Sequence, residues 1–397
     1  MTVDSQMWNV PNRVLFGWGA AAETGRYADT LGVDRALLVT DKNIRAAGVL
    51  EPVLDSLSKH DVECEIFDGV DPDPTDRIVH EAARAYDEAN ADSILGVGGG
   101  SSIDTAKAAS ILATNDGDVL NYKGFGQVDS EPPTRIYLPT TAGTGSEVGH
   151  WTIVKDSETN IKEEIGDVSL LADLALIDPK LTTSAPTSVR ATTGMDVLTH
   201  AVEAYVSIKA QSQTSALAID AIEKVGENLR RAVEYRGDDR DAITAMAHAS
   251  TQAGMAFNGA GLGAVHALAH QIGGLFDVPH GLVNAILLPY VMEYNLPQVP
   301  DKMVQIAEAL GEDVDHSTPP RREGYKAIRA TRELAADIRI PRTLAETQAE
   351  IDAIDRLAER SLNDGSLTGN PRKTDLRDMQ GILTRAFDGE FEYETVL

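Results

Sequence analysis

The stretch SILGVGGGSSIDTAKAASILA, residues 93–113, runs from a short apolar segment through three glycines and two serines into a segment of helical character. Glycines at the end of a strand allow backbone amides to approach a pyrophosphate, and the N-terminus of the next helix directs unpaired amides at the same negative charge. The stretch lacks the G-x-G-x-x-G fingerprint, so a plain structural turn is the alternative for this segment taken alone. We predict a strand–loop–helix unit that binds phosphate.

The sequence on either side of this unit alternates short apolar runs with amphipathic segments, which is typical of parallel β-α-β units. The predicted strands lie at 36–40, 64–67, 93–97, 135–138 and 174–177, with helical segments such as 78–89 between them. After about Pro186 the strand signals nearly vanish. Apolar residues then recur at spacings near three and four, as they do between Leu217 and Val233, and this periodicity predicts helices.

These patterns predict two domains, in agreement with the length of 397 residues. Residues 1–185 are predicted to form an α/β, Rossmann-like dinucleotide-binding domain, and residues 186–397 an all-α domain. Near the C-terminus, Thr374 followed by DLRDMQGILTRAF predicts a terminal helix with Thr374 at its cap.

A second loop of small residues, PTTAGTGSE at 139–147, follows the next predicted strand. It offers threonine hydroxyls and a flexible backbone. Two such loops at neighbouring strand ends suit a dinucleotide that lies across the crevice between them. The residues expected to contact this cofactor are Gly98, Gly99, Gly100 and Ser101 in the first loop, and Thr140, Thr141 and Thr144 in the second.

Asp41 ends a predicted strand, directly after the apolar run ALLVT. A carboxylate in that position accepts hydrogen bonds from ribose hydroxyls and repels a 2′-phosphate, which favours NAD over NADP. Lys42 beside it softens that repulsion and leaves NADP open. The alternative is an aspartate that only caps a helix or a turn.

Two short segments combine a carboxylate with histidines at helical spacing. In TGMDVLTHAVEAY, Asp196 and His200 are four residues apart, and in GAVHALAHQIGGLFDVPHG the same spacing separates His266 from His270, with His280 further along. Residues four apart emerge on one face of a helix. A single histidine in such a place is more often a satisfied core residue or cap, but the repeated pairing predicts a metal site.

The cysteine count limits the ligands of that metal. Cys64 is the only cysteine, so the chain has no cluster of thiolates and no intrachain disulfide. Imidazoles with one carboxylate suit a divalent transition ion, and this reasoning leaves Fe(II), Zn and Mn open.

Five segments resemble the signature sequences of the iron-containing, or group III, alcohol dehydrogenases, particularly the lactaldehyde reductase (1,2-propanediol oxidoreductase) type: GGGSSIDTAK, PTTAGTGSEV, GMDVLTHAVEAY, HALAHQIGGLFDVPHG and AILLPYVMEYN. They match in order and spacing over nearly the whole chain, from about Pro11 to Pro371. The resemblance implies an enzyme of dehydroquinate synthase-like architecture that transfers a hydride between an alcohol or aldehyde and NAD(H). It also implies Fe(II) as the metal and a homodimer.

The resemblance assigns roles to individual positions. The implied metal ligands are Asp196, His200, His266 and His280. His270 is implied to lie beside the nicotinamide, where an imidazole is a candidate catalytic proton relay. Lys162 is implied to contact the cofactor, with an ordinary surface lysine as the alternative, and Asp41 is supported as the carboxylate at the adenosine ribose.

Two features depart from the family pattern. Asp73 stands in DPDPT where relatives often have Asn, so a neutral group near the cofactor has become a charge. His150 and Trp151 place bulky rings where smaller or amide side chains are expected near the substrate. Trp151 and Phe257 are the residues expected to line the substrate pocket, and these departures prevent the substrate from being copied from relatives.

Composition restricts the partners. The chain has 62 acidic and 35 basic residues and a formal net charge of −27, which repels nucleic acid phosphates and anionic membranes. The acids are dispersed, and we interpret them as a solvated surface adapted to high salt. No apolar stretch reaches the roughly 18 residues that predict a membrane span, and the first residues lack a basic region before an apolar block, so we expect a cytoplasmic protein.

Two other functions remain open at this point. A dehydroquinate synthase-like lyase also uses NAD and a metal, but a highly anionic phosphorylated substrate would require a cluster of Lys and Arg that the predicted site lacks. The other alternative is a protein that binds a metal or a nucleotide without catalysis. An assay of NADH formation with and without metal distinguishes all three.

Overall fold

The computed structural model describes residues 7–234 and 238–392, which divide after Ala185 into two compact units. The predicted fold class, an α/β N-terminal part followed by a helical C-terminal part, is confirmed. Among the described residues, no helix is both long and apolar enough to cross a membrane.

A six-stranded, fully parallel sheet forms the centre of the first unit. Its strands are β1 (Val14–Phe16), β2 (Arg35–Val39), β3 (Glu63–Phe67), β4 (Ser93–Gly98), β6 (Thr134–Pro139) and β9 (Leu174–Ile177). A second, three-stranded sheet consists of β5 (Gly124–Phe125), β7 (Trp151–Lys155) and β8 (Lys162–Gly166). The helices of this unit are α1 (Thr24–Thr30), α2 (Lys42–Ala46), α3 (Glu51–Lys59), α4 (Asp76–Ala89) and α5 (Gly100–Leu112).

The order of the large sheet is β1-β9-β6-β4-β2-β3. The chain steps outward from β2 to β3 and then returns to place β4 on the other side of β2, so the strand order reverses between β2 and β4. In parallel sheets with such a reversal, the crevice at the carboxyl ends of the two strands is where ligands bind. The loops that follow β2 and β4 begin with Thr40 and Gly99, and they open this crevice.

Apolar side chains bury both faces of the sheet. Leu37, Leu38, Ile94, Leu95 and Ile136 are all fully buried, as expected of parallel strands covered by helices on both sides. All five predicted strands overlap an observed one, because each contains apolar residues that pack in the sheet. The small sheet and β1 were not predicted, since β8 reads KEEIG and β1 has only three residues, and neither shows an apolar period.

The second unit consists of helices: α6 (Thr187–Val206), α7 (Ser212–Glu234), α8 (Arg240–Ala260), α9 (Ala264–Phe276), α10 (His280–Asn295), α11 (Pro300–Ala309), α12 (Pro320–Asp337), α13 (Ile354–Ser361) and α14 (Leu376–Asp388). Short 3₁₀ helices connect elements of both units at Ala20–Glu23, Val119–Tyr122, Ser146–Val148, Val168–Leu170, Pro179–Ser184, Leu344–Glu346, Ile351–Ala353 and Gly365–Gly369.

The prediction that Thr374 caps the terminal helix is wrong by one residue. The cap of α14 is Asp375, whose Oδ1 accepts a hydrogen bond from the Asp378 amide at 3.0 Å, while the Asp378 carboxylate accepts one from the Asp375 amide. A carboxylate at this position also interacts favourably with the helix dipole, which explains why aspartate takes the position next to an available threonine.

Candidate cofactor crevice and metal centre

The loop after β4 and the loop after β6 pack directly against each other in the first unit. The Thr140 amide donates to the Gly98 carbonyl at 2.9 Å. A Cβ placed on Gly100 would lie 2.8 Å from Thr144 Cγ2, and one on Gly99 would lie 3.7 Å from Thr141 Oγ1. Glycine is required at position 100 because a side chain there would collide with the second loop.

The start of α5 offers unused donors to a ligand. None of the described residues accepts a hydrogen bond from the amides of Gly100 and Ser101, the first two residues of this 13-residue helix. The Thr140 hydroxyl is buried at the same edge and also has no partner among the described residues. A glycine cradle with free amides at a helix N-terminus fits the pyrophosphate of a dinucleotide.

Asp41 lies at the reversal of strand order and has two distinguishable oxygens. Oδ1 accepts from the amides of Asn43 at 2.8 Å and Ile44 at 3.0 Å. Asp41 therefore caps α2, as the alternative interpretation of this residue predicts. Oδ2 lies 4.0 Å from the position of a Cβ on Gly98. The cap therefore fixes the carboxylate beside the first glycine of the cradle.

Lys162 reaches the first unit's crevice through an ion pair that the sequence did not predict. Its Nζ lies 2.6 Å from Asp73 Oδ1, and the lysine side chain is only 11 % exposed. The neighbouring Pro72 carbonyl accepts a hydrogen bond from the Ser101 hydroxyl in the first turn of α5. Segment 72–73 thus connects Lys162 to the phosphate cradle, and the charge on Asp73 is matched by a lysine.

Lys107 and Asp104 of α5 hold the second loop in place through hydrogen bonds. Lys107 is fully buried, and its Nζ donates to the carbonyls of Ser146 at 2.6 Å and Trp151 at 2.8 Å. Asp104 accepts from the Ser146 hydroxyl and from the Ile153 amide. Burial lowers the pKa of Lys107 to about 8, while Asp104 opposes this shift. This pair was not predicted from the sequence, although DTAK lies inside the strand–loop–helix stretch 93–113.

Three helices of the second unit bring together the predicted metal ligands. One ligand atom from each of Asp196, His200 and His266 lies within 4.8 Å of the other two, and all three residues are buried. His280 Nε2 lies 3.9 Å from Asp196 Oδ1. Helices α6, α9 and α10 therefore contribute the four predicted ligands to one cluster.

A close approach of α10 to α6 positions His280. A Cβ on Gly281 would lie 2.6 Å from the Thr192 carbonyl and 3.4 Å from Asp196 Cβ, so only glycine permits α10 to begin against α6. Without that contact His280, the first residue of α10, would not reach the carboxylate.

The cluster has the chemistry of a divalent-ion site. His200 Nδ1 is buried and has no hydrogen-bond partner among the described residues. Burial lowers the pKa of His266 well below its usual value, so this imidazole stays neutral with a lone pair to offer. Neutral imidazoles with one carboxylate, and no thiolate, fit a transition ion.

Glu203, which was not predicted from the sequence, contacts one of the predicted ligands. Its Oε2 lies 2.6 Å from His266 Nδ1, and its Oε1 accepts from the Val265 amide at 2.7 Å. A carboxylate on one imidazole nitrogen fixes the tautomer and directs the other nitrogen at the metal. The available signal was its position on α6, seven residues after Asp196 and three after His200, on the same helix face.

His270 lies beside the ligands but pairs with a different carboxylate. Its ring stacks on that of His280 with centroids 5.4 Å apart, and its Nδ1 lies 3.0 Å from Asp364 Oδ2. Burial alone would raise the pKa of Asp364, but His270 and the Ser366 amide lower it. Asp364, which the sequence analysis also missed, is therefore ionised and orients His270.

The two residues predicted to line the substrate pocket belong to different units. Phe257, on α8, stacks on His200 with ring centroids 4.7 Å apart and 30° between the planes. Trp151 begins β7 in the first unit, where its ring packs with Phe125 and His150 at centroid distances of 5.5 and 5.6 Å. Phe257 is thus in contact with a predicted ligand, while Trp151 belongs to an aromatic cluster on the small sheet.

Known proteins share both the sequence and the fold. The family model for iron-containing alcohol dehydrogenase matches residues 11–179, and that for the C-terminal part of the Fe-containing alcohol dehydrogenase family matches residues 190–387. The 1,3-propanediol dehydrogenase of Klebsiella pneumoniae is 42% identical over 381 residues, 95% of this chain and 98% of that protein. The NAD-dependent methanol dehydrogenase of Bacillus methanolicus is 36% identical over 95% of this chain and 98% of that protein.

A solved structure of 1,3-propanediol oxidoreductase superimposes with a TM-score of 0.94 at 40% identity, covering 96% of this chain and 100% of that one. The chain belongs to the iron-containing alcohol dehydrogenase family. The predicted activity, metal-dependent alcohol dehydrogenation with a nicotinamide cofactor, is confirmed at the level of the family. This family membership favours a dehydrogenase over the lyase and the non-catalytic alternatives.

Proposed function

We propose that this chain oxidises small alcohols, and reduces the matching aldehydes, with NAD bound at the carboxyl edge of the large sheet and one divalent ion, Fe(II), bound by Asp196, His200, His266 and His280. The convergence of a carboxylate and two buried imidazoles within 4.8 Å carries this proposal. Zn and Mn suit the same donors and are tested beside iron.

Each bound group supplies one piece of chemistry. The ion supplies Lewis acidity toward the oxygen of the alcohol or aldehyde, and NAD supplies the hydride acceptor. The protein supplies position: Glu203 fixes the His266 tautomer, and the cradle of Gly98, Gly99 and Gly100 with Thr140, Thr141 and Thr144 seats the phosphates. Lys162 and Asp41 complete the proposed cofactor contacts.

His270 has the geometry of a proton relay. Its Nδ1 lies 3.0 Å from the ionised Asp364, which orients the ring. It lies one helical turn from His266 and is not needed to complete a ligand set of one carboxylate and three imidazoles. We therefore assign it to proton exchange and not to metal binding.

We propose a cytoplasmic homodimer adapted to high salt, with NAD preferred to NADP because of Asp41. The acidic surface, with 62 acidic against 35 basic residues, supports the adaptation to salt and argues against nucleic acid and anionic membranes as partners. Trp151 and Phe257 are the proposed substrate contacts.

The test measures NADH formation by protein that has been stripped of metal and reloaded with Fe(II), Zn or Mn, using methanol, 1,3-propanediol and longer primary alcohols. Activity is expected only with metal, and His266→Ala is expected to lose both metal and activity while it still binds NADH. Activity that survives both the chelator and His266→Ala would overturn the proposed metal centre.

A further inference from the structure

Asn284 lies among the proposed metal ligands, although its side chain was assigned no role. It follows His280 by one turn of α10 and is fully buried. Its Nδ2 lies 2.7 Å from Asp196 Oδ1, 3.0 Å from His280 Nε2 and 3.2 Å from His266 Nε2. One amide nitrogen thus contacts three of the four proposed ligands, which come from three different helices.

The hydrogen bonding of this amide is incomplete on both sides. An amide nitrogen has two hydrogens, so it can donate to only two of the three atoms that surround it. The other end, Asn284 Oδ1, is buried and has no hydrogen-bond partner among the described residues. A buried carbonyl without a donor is costly, and such groups occur where a further ligand completes the network.

The geometry of an amide allows both ends to serve. A half-turn about the Cβ–Cγ bond exchanges oxygen and nitrogen without changing the shape of the side chain. With nitrogen inward, Asn284 bridges Asp196 and the imidazoles. With oxygen inward, it presents to the cluster an acceptor of the kind that a divalent cation binds.

We propose that Asn284 is a fifth side chain of the metal centre, whose amide links ligand atoms of three helices and whose oxygen faces the divalent cation when one is bound. This inference rests on the proposed metal centre and names a residue that deepens it. The competing interpretation is a buried amide that only joins α10 to α6 and α9, in which case it affects stability and leaves metal affinity unchanged.

Two substitutions of similar size separate these interpretations. Asn284→Leu removes both the donor and the acceptor. Asn284→Asp keeps the oxygen and adds a negative charge beside Asp196, so two carboxylates repel each other in the metal-free protein and both attract a cation in the loaded one. Asn228→Leu is the matched control, because Asn228 is a buried amide on α7 that bonds the Lys224 carbonyl and Arg231.

The experiment titrates chelator-stripped full-length protein with Zn²⁺ by competition against a chromophoric chelator and records the melting temperature with and without Zn²⁺. Asn284→Leu is expected to weaken Zn²⁺ binding by roughly 10- to 100-fold, the range seen for groups that support metal ligands. Asn284→Asp is expected to bind Zn²⁺ more tightly than the wild type while its metal-free form melts at a lower temperature. Asn228→Leu is expected to keep the wild-type affinity.

Wild-type Zn²⁺ affinity in Asn284→Leu would overturn the inference, as would an Asn284→Asp variant that binds Zn²⁺ no more tightly than the wild type. Should the leucine variant fail to fold, the aspartate variant decides alone. His266→Ala is titrated in parallel, so that failure of the role of Asn284 can be distinguished from failure of the proposed metal centre. If His266→Ala loses Zn²⁺ but Asn284→Leu does not, only the role of Asn284 fails, whereas retention of Zn²⁺ by both variants rejects the metal centre itself.

Discussion

His266 and His270 lie one turn apart on α9, yet the pKa values of the carboxylates they contact are shifted in opposite directions. Burial raises the pKa of Glu203, the partner of His266, to about 7. The pKa of Asp364, the partner of His270, is lowered below its usual value. An ionised partner favours a protonated imidazole, and deep burial favours a neutral one. The surroundings of His266 and His270 therefore suit different chemistry.

We predict that His270→Ala keeps its metal and lowers kcat/KM by roughly 10²- to 10⁴-fold, the range typical of a lost general acid or base. Elemental analysis checks the metal, and kinetics over a range of pH check the proton relay. Loss of the metal from this variant would make His270 a ligand, and normal kinetics at every pH would reduce it to packing.

A single substitution at Asp41 would confuse two effects, since Oδ1 caps α2 and the residue is also proposed to oppose a 2′-phosphate. We predict that Asp41→Gly and Asp41→Asn both shift selectivity toward NADP, measured as the ratio of kcat/KM for the two cofactors. Asparagine caps a helix as well as aspartate does, so Asp41→Asn is the control that retains the cap. Unchanged ratios in both variants would reject the ribose assignment.

At the scale of elements, five of the six strands of the large sheet and the helices that bear the predicted ligands were predictable, because short apolar runs and four-residue spacings are local signals. The contacts that Lys107 and Asp104 make with the second loop were not predictable. Lys107 and Asp104 read as exposed charges in a helix, and only the packing of α5 against β7 shows that both are enclosed. Glu203, Asp364 and Asn284 escaped for the same reason, since their partners are distant in the sequence.

The second loop also contains a buried acid, and its ionisation opposes folding. Burial raises the pKa of Glu147 from 4.5 to about 7. Between these two values the folded protein binds more protons than the unfolded chain, so stability falls as the pH rises through this window and stays low above it. The shift corresponds to a loss on the order of 3 kcal/mol.

We predict that Glu147→Gln matches the wild type in urea stability near the lower end of this window, at about pH 5, and exceeds it at about pH 8, where the wild type holds a buried carboxylate. Urea denaturation at the two pH values checks this. If the difference between variant and wild type is the same at both, Glu147 does not titrate between them.

The whole molecule has a formal net charge of −27. Like charges at this density destabilise a compact chain unless counterions screen them. We predict that the melting temperature rises from low salt to molar KCl. A melting temperature that stays flat or falls would show that the acids do not limit stability, and adaptation to salt would then be rejected.

The position of β1 in the large sheet has a consequence for synthesis on the ribosome. Among the described residues β1 is the first strand, and it lies at the edge of the sheet. It pairs with β9, the last described strand, through registers such as Val14 with Ala175. A nascent chain leaves the ribosome with its N-terminus first. β1 therefore has no pairing partner until almost the entire first unit has been translated. Closure of the sheet is therefore a late event, and stalled or truncated chains that end before Leu174 would expose the unpaired edge of β6.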